Sequence, residues 1–500
     1  MKRNRAGTQR QVLEKEETEE RMDRELYEKI DGWMEAHREE LIRDICRLVK
    51  IPSVSDPDSE IKPFGKGCRD ALAEMLRLGE EYGFKTRNYE NYVGALWLED
   101  GPMEHTIGFW NHLDVVPVGN NWDYAPFDPV VKDGFIIGRG SQDNKGPAIG
   151  MLYVMRCLKE LEIPLKHRLC LFVGCDEERG MSDLEYYTAH YETPALSMIA
   201  DSGFPVCYGE KGILEGNLTA DTPLSGEIIS VQGGTASNII PELASVTVRG
   251  GTAGRALQNL KPKENDVEIA EHGDGSVTVT VHGTSKHSAF PEGSVNAIQK
   301  LLLLMKEYHV WKAEDEKRLE AFVEANRDYY GEAFGIAYSD EISGRLTSAG
   351  TMVSLKNGRL TLHFNIRYSV TEIEEHILSE IEEFCRQNGC TFSVSGGSGP
   401  NYFDRNHPAV DLLTDLYNEI MDTDAKPFVM GGGTYARKLP KAFAYGVGGL
   451  PKTEEQINCT LFAPQHGDAH QPDEGLCIAS LLQALKIYGM GIAALNEIEL

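Results

Sequence analysis

Ten cysteines are scattered through the chain, yet no two have C-x-x-C spacing. That absence removes zinc-ribbon and thioredoxin-like chemistry. Several cysteines sit inside apolar runs, as Cys170 does between Leu169 and Leu171, which predicts reduced core thiols. No Gly-x-Ser-x-Gly elbow occurs, and Cys175 falls within a strand pattern, so a serine or cysteine hydrolase is disfavoured. Basic charge is scarce: 50 Lys and Arg stand against 78 Asp and Glu, for a net charge of −28. This argues against nucleic acid or an anionic membrane as a partner, since both need clustered cations. The segment after Met1 is charged and then Glu-rich, with no apolar leader core, and no run approaches the ~20 apolar residues of a spanning helix. Free thiols and no leader together predict a cytoplasmic protein with no membrane partner. No internal repeat is found.

What is present reads as a soluble globular chain of 500 residues, 41% hydrophobic and 26% charged, too long for one core. Residues 1–24 are polar and charge-dense, an expected frayed extension. A first helix is expected over roughly 25–49. Three apolar runs then end in polar side chains: Thr106 to Trp110 leads into His112 and Asp114, Leu169 to Gly174 into Asp176, Glu177 and Glu178, and Leu196 to Ala200 into Asp201. A helical pattern over 145–161 separates the first two. This is the rhythm of a parallel sheet with crossover helices, whose sites form beyond the carboxyl ends of the strands. Residues 275–283 and 360–366 alternate instead, as strands of an antiparallel sheet do. Helices are expected near 294–308 and 372–387, the latter opening with Thr371 and Glu374 at capping-box spacing. The fold class is therefore α/β: a catalytic domain with a mixed, largely parallel sheet flanked by helices (25–211 and 396–500). It is interrupted by an inserted α+β lid domain with an antiparallel sheet (212–395).

The strand-end residues carry the chemistry. His112 and Asp114 are two apart and face one side of a strand, as a metal-binding imidazole and its orienting carboxylate would; a structural histidine is the alternative. Asp143 sits in a glycine-rich loop feeding a helix, either as a ligand or as an N-cap. Asp176, Glu177 and Glu178 repel one another unless a positive charge is near. They are either a solvated turn or a divided set, one carboxylate on a cation and its neighbour acting as general base. Asp201 repeats the pattern. His470 is a further ligand candidate, with His466 competing in the same loop. Two imidazoles and several carboxylates suit a pair of divalent cations, Zn²⁺ or Mn²⁺.

From about residue 25 to the C-terminus, this ordered set resembles the M20 metallopeptidase family, in its PepV-like bacterial dipeptidase branch. The resemblance rests on His112 to Pro117, on Trp122 through Asp143 to Pro147, on Asp176 to Glu178, on Asp201, and on His470 to Glu474. It implies that Asp143 bridges two metals, that His112 and Asp201 complete one site, and that Glu178 and His470 complete the other. Asp114 would orient His112, and Glu177 would be the general base. The peptide bond after Asp143 would be cis. Many relatives carry Asp where Asn144 stands and Gly where Asn111 stands. The resemblance further gives His287 as an oxyanion donor and Asn238 as its neighbour. Arg367, with Gly433, Thr434 and Arg437 in the 432–437 loop, would hold a substrate carboxylate. The implied activity is hydrolysis of dipeptides, with a small peptide as the partner, in a monomer or alternatively a dimer. The alternatives are an N-acyl amino acid deacylase or desuccinylase of the same family, and a non-catalytic metal- or peptide-binding protein on an inherited scaffold.

Overall fold

A computed structural model of the chain describes residues 24–224, 227–250, 254–255 and 266–500. The expected N-terminal extension, apart from Arg24, lies outside the described residues. The chain divides into two compact units. The first comprises the residues up to Tyr208 with Phe403–Phe428 and Thr434–Leu500, and the second Gly209–Tyr402 with Val429–Gly433.

The first unit is built on a mixed sheet. Its strands run in the order Lys85–Tyr89, Val93–Trp97, Arg168–Gly174, Thr106–His112, Leu196–Ile199 and Ala442–Tyr445, followed by the strand that opens at Val206. The four from Arg168–Gly174 to Ala442–Tyr445 are parallel, whereas Val93–Trp97 joins antiparallel. Thr106–His112 and Leu196–Ile199 are buried along their whole length. Unbroken burial is what a central strand covered on both faces requires. Helices Lys145–Glu160 and Ile478–Ala494 pack together in this core, so closely that a Cβ on Gly150 would meet Leu485 Cδ2 at 2.7 Å. Parallel strands open their carboxyl ends on one edge of a sheet, so His112 and the residues after Gly174 and Ile199 arrive together.

Three expectations need correction. The first helix is two, residues 24–36 and Arg38–Val49, broken at His37. A membrane-length apolar stretch does exist: Ile478–Glu497 has 20 residues, and an 18-residue window of it has mean hydropathy 1.5, but 72% of that window is buried, as befits a core helix. The capping box at Thr371 does not form. Helix Glu374–Asn388 begins after Ile373, which has no side chain able to cap it; Thr371 lies two residues before that N-cap and donates its hydroxyl to Asp340.

The second unit carries an eight-stranded sheet in the order Val267–Glu271, Val277–His282, Leu243–Val248, Ile228–Gly233, Thr347–Lys356, Arg359–Tyr368, Gly212–Ala220 and Cys390–Ser398. Every pairing in it is antiparallel. Leu360, Leu362, Phe364 and Ile366 are fully buried on one face, against helices Ala297–Glu307, Glu316–Ala325 and Glu374–Asn388. Thr361, His363, Asn365 and Arg367 alternate onto the other.

Close packing at Gly150 leaves the core little room to relax around a cavity. Leu485→Ala is expected to destabilise the first unit by about 2–5 kcal/mol, seen as a lower denaturant midpoint with an unchanged slope.

Candidate metal centre and substrate-side residues

All five expected ligands meet at the carboxyl edge of the parallel strands. His112 Nε2 lies 2.9 Å from Asp143 Oδ1 and 3.5 Å from Asp201 Oδ2. His470 Nε2 lies 3.0 Å from Asp143 Oδ2 and 3.1 Å from Glu178 Oε2. Asp143 therefore turns one oxygen to each imidazole. Its neighbours form two groups of potential ligands, His112–Asp143–Asp201 and Asp143–Glu178–His470, each within 4.8 Å. Nitrogen and carboxylate donors in two such groups fit a pair of divalent cations. Asp143 is not the helix cap, since Asn144 holds that position. The Asp143–Asn144 peptide is cis.

The protonation equilibria express the same need for positive charge. Against burial, which acts the other way, hydrogen bonds to Asp114, Asp143 and Asp201 hold the His112 imidazolium well above its ordinary range. Contacts with Asp143 and Glu178 push His470 up to about 11. Burial, reinforced by the Asp143 charge, pushes Glu178 up to about 7 although His470 opposes it. Desolvation pushes Glu177 well up; His112 opposes it, while Asp201, Glu178 and Asp143 add to it. Carboxylates crowded in this way are costly to ionise unless cations share the space.

Backbone N–H groups held by other carboxylates fix the ligands in place. Asp114 accepts from the amides of Glu177 and Glu178 at 3.2 and 3.0 Å. His112 Nδ1 lies 3.1 Å from the Asp114 carbonyl and 3.4 Å from its carboxylate. Asp114 thus orients two strand ends, not His112 alone. Asp176 belongs to neither group of potential ligands: Ser55 and Ser182 donate to it. Buried Asp183 accepts from the amides of Cys175 and Asp176 and from the Tyr435 hydroxyl. Asn144 Nδ2 donates to Asp201 at 3.0 Å, and Asn144 Oδ1 accepts from Asn111.

Glu474 is the support that sequence reading missed. Fully buried, it accepts from the amides of Gln142 and Asp143 on one oxygen, and from Gly140 N–H and Arg139 Nη1 on the other. Arg139 also donates to the His470 carbonyl, and His470 itself has φ 66°, a left-handed backbone uncommon outside glycine. The signal lay in the sequence four residues after His470. Asp473 accepts from the amides of Asp123 and Tyr124 and pairs with His466 Nδ1 at 2.6 Å. His466 thus belongs to a group of its own with Asp123 and Asp473, apart from the two groups that share Asp143. Beside Asp143 and Asp201 opens a cavity of about 480 Å³ walled in part by Phe135, Leu450, Phe462 and Leu481.

The remaining expected residues fall as follows. His287 pairs with Ile239 between short strands, next to Asn238, whose carbonyl accepts from Ser288 N–H. Its Nδ1 accepts from the Ala289 amide at 3.1 Å, so the neutral ring carries its proton on Nε2 as a donor. Arg367 is buried rather than on an open surface; it donates to Asn365 and to the Gly431 carbonyl. Gly433 closes the second unit and Thr434 resumes the first. The Thr434 side chain caps a short helix, Tyr435–Lys438. The amides of Ala436 and Arg437 bond within that turn.

The model of peptidase family M20/M25/M40 matches residues 108–492. The chain is 30% identical over 476 residues to "Putative dipeptidase YtjP" of Bacillus subtilis (strain 168), covering 92% of this chain and 98% of that one. It is also 30% identical over 480 residues to a "Putative dipeptidase" of Staphylococcus epidermidis, covering 92% and 97%. Among solved structures, its fold is similar to the di-peptidase Dug1p from Saccharomyces cerevisiae, with 12% identity, TM-score 0.56 and coverage of 94% and 99%. Human carnosine dipeptidase 1 gives 14% identity, TM-score 0.53 and coverage of 95% and 99%.

The supports predict a separation by mutation. Glu474→Ala, which removes no ligand, should weaken metal retention about 10–100-fold; His470→Ala should lose metal outright, and His466→Ala should keep it. Metal content after dialysis against a graded chelator distinguishes the three.

Proposed function

Because the chain belongs to peptidase family M20/M25/M40, and is thereby a metallopeptidase, we propose that it is a dipeptidase that cleaves the peptide bond of substrates with a free N-terminus and a free C-terminal carboxylate. The observation that carries the reading is the pair of ligand groups sharing Asp143, with Glu177 fixed beside Glu178 by Asp114. The cavity next to Asp143 and Asp201 gives a small peptide room. We take the centre as dinuclear, with Zn²⁺ foremost and Mn²⁺ as the alternative, and place the protein in the cytoplasm as a monomer.

When bound, the cations would polarise the scissile carbonyl and bring the attacking water's pKa toward ~7. The chain supplies the rest. His112 and Asp201 on one side, and Glu178 and His470 on the other, hold the centre around Asp143. Glu177 takes the proton from the attacking water and later returns it to the leaving amine; a carboxylate raised by its surroundings holds that proton in between. His287 Nε2–H donates where negative charge develops on the carbonyl oxygen. Asn238 assists there. Arg367 binds the substrate's C-terminal carboxylate, with Gly433, Thr434 and the Arg437 guanidinium as further contacts.

Glu177→Ala should lower kcat by about 10²–10⁴ or more while retaining the full metal content; an active variant would remove Glu177 from its role. A panel of dipeptides against N-acyl amino acids decides between this reading and a deacylase. Faster turnover of the acyl compounds would overturn the dipeptidase assignment.

A further inference from the structure

Four stretches of the second unit carry the groups that the dipeptidase reading places at the substrate: the segment of Asn238, that of His287, the strand end at Arg367, and Gly431–Gly433. One buried amide joins them. Asn365 Oδ1 accepts from Ser288 Oγ at 2.8 Å and from Arg367 Nε at 2.8 Å. Asn365 Nδ2 donates to Glu215 Oε1 at 2.6 Å, and the same oxygen accepts from Ser237 Oγ at 3.0 Å. Ser237 and Ser288 adjoin Asn238 and His287. Ser288 N–H also donates to the Asn238 carbonyl, and Arg367 Nη1 to the Gly431 carbonyl. Asn365 and Ser288 are wholly buried, and Arg367 is 5% exposed.

We infer that Asn365, anchored by Glu215, is the positioning residue that sets Arg367 and the His287 segment in one register for a substrate carboxylate. The inference rests on the proposed dipeptidase function. Only a primary amide can play this part, because the site needs an acceptor for two donors and a donor for one carboxylate. An apolar residue would leave Arg367 and Ser288 without that acceptor. An aspartate would face Glu215 with like charge. The sheet is built around the pair: Glu215 and Asn365 are directly opposed on adjacent strands. On the other edge of its strand, Glu215 sits at a β-bulge, the register slipping between Glu215 and Gly216, and bulges commonly re-aim side chains beside functional sites. A network satisfied at every member rigidifies what it touches.

The test compares kcat/KM for a dipeptide with that for its C-terminal amide, in metal-replete full-length enzyme. That ratio reads carboxylate recognition and does not change with the fraction of enzyme folded. Asn365→Asp should lower the ratio about 10-fold or more, as small misplacements of binding groups do, with metal content unchanged. Glu215→Gln keeps the accepting oxygen and should hold the ratio within about 3-fold. The double variant Asn365→Asp/Glu215→Gln, in which the glutamine amide donates to the aspartate, should recover most of the loss. Glu215→Leu leaves Asn365 without its anchor and should behave as Asn365→Asp does, so the test stands if one variant fails to fold. A ratio unchanged in Asn365→Asp and Glu215→Leu, with both activities falling in proportion, overturns the inference alone. A wild-type enzyme that cleaves no dipeptide, or treats acid and amide alike, overturns the dipeptidase reading and this inference with it.

Discussion

Asp143 faces two imidazoles, one oxygen to each, and the surrounding architecture follows from keeping that carboxylate where it is. It lies among other carboxylates in a partly desolvated edge of the sheet, where like charges repel strongly. The imidazoles of His112 and His470 meet part of the electrostatic demand. Their positions come from opposite ends of the first unit: one ends a buried parallel strand, and the other sits on a loop with left-handed backbone. Such a site cannot be assembled locally. It exists only once the sheet has brought the strand ends together and Glu474 has seized the loop that carries Asp143.

The supporting carboxylates share one device. Asp114, Asp183 and Glu474 are all buried, and each accepts from two or more backbone amides of a segment that carries or adjoins a candidate ligand or the candidate base. A buried charge is tolerable when it is fully hydrogen-bonded, and amide donors fix a loop's path without placing a further side-chain charge near the metals. The second unit uses the same economy with a neutral group, Asn365, where an arginine is the element to be held.

The sheet architecture and the ligand set were legible because both are written as periodicity. Strands buried on both faces are continuous apolar runs, half-buried ones alternate, and His112, Glu178 and Asp201, three of the five candidate ligands, follow the ends of such runs. Alone, the spacing could not choose between His466 and His470, or between ligand and cap for Asp143. Those choices depend on partners far away in the sequence, such as Glu178, 292 residues before His470. The capping box at Thr371 failed for a related reason: the local pattern was right, but the fold starts the helix at Glu374, two residues later than that pattern requires, and ties Thr371 to Asp340. Arg367 was correctly placed opposite the apolar face, yet that face is itself buried, which alternation within one strand cannot reveal.

Asn111 and Asn144, where the resemblance leads one to expect Gly and Asp, are 33 residues apart in sequence but touch in the fold. A carboxylate at 144 would lie against Asp201 Oδ1, where Asn144 Nδ2 now donates at 3.0 Å, adding one more negative charge to an already crowded edge. The amide reverses that interaction from repulsion to a hydrogen bond. It also creates an obligation, since its own oxygen is buried and needs a donor. A glycine at 111 has no side chain to meet it, whereas Asn111 donates to it at 2.5 Å. The two side chains therefore act as one hydrogen-bonded pair. It leaves every ligand intact and replaces electrostatic restraint of Asp201 with directional restraint, which holds the carboxylate whether or not a cation is there to attract it.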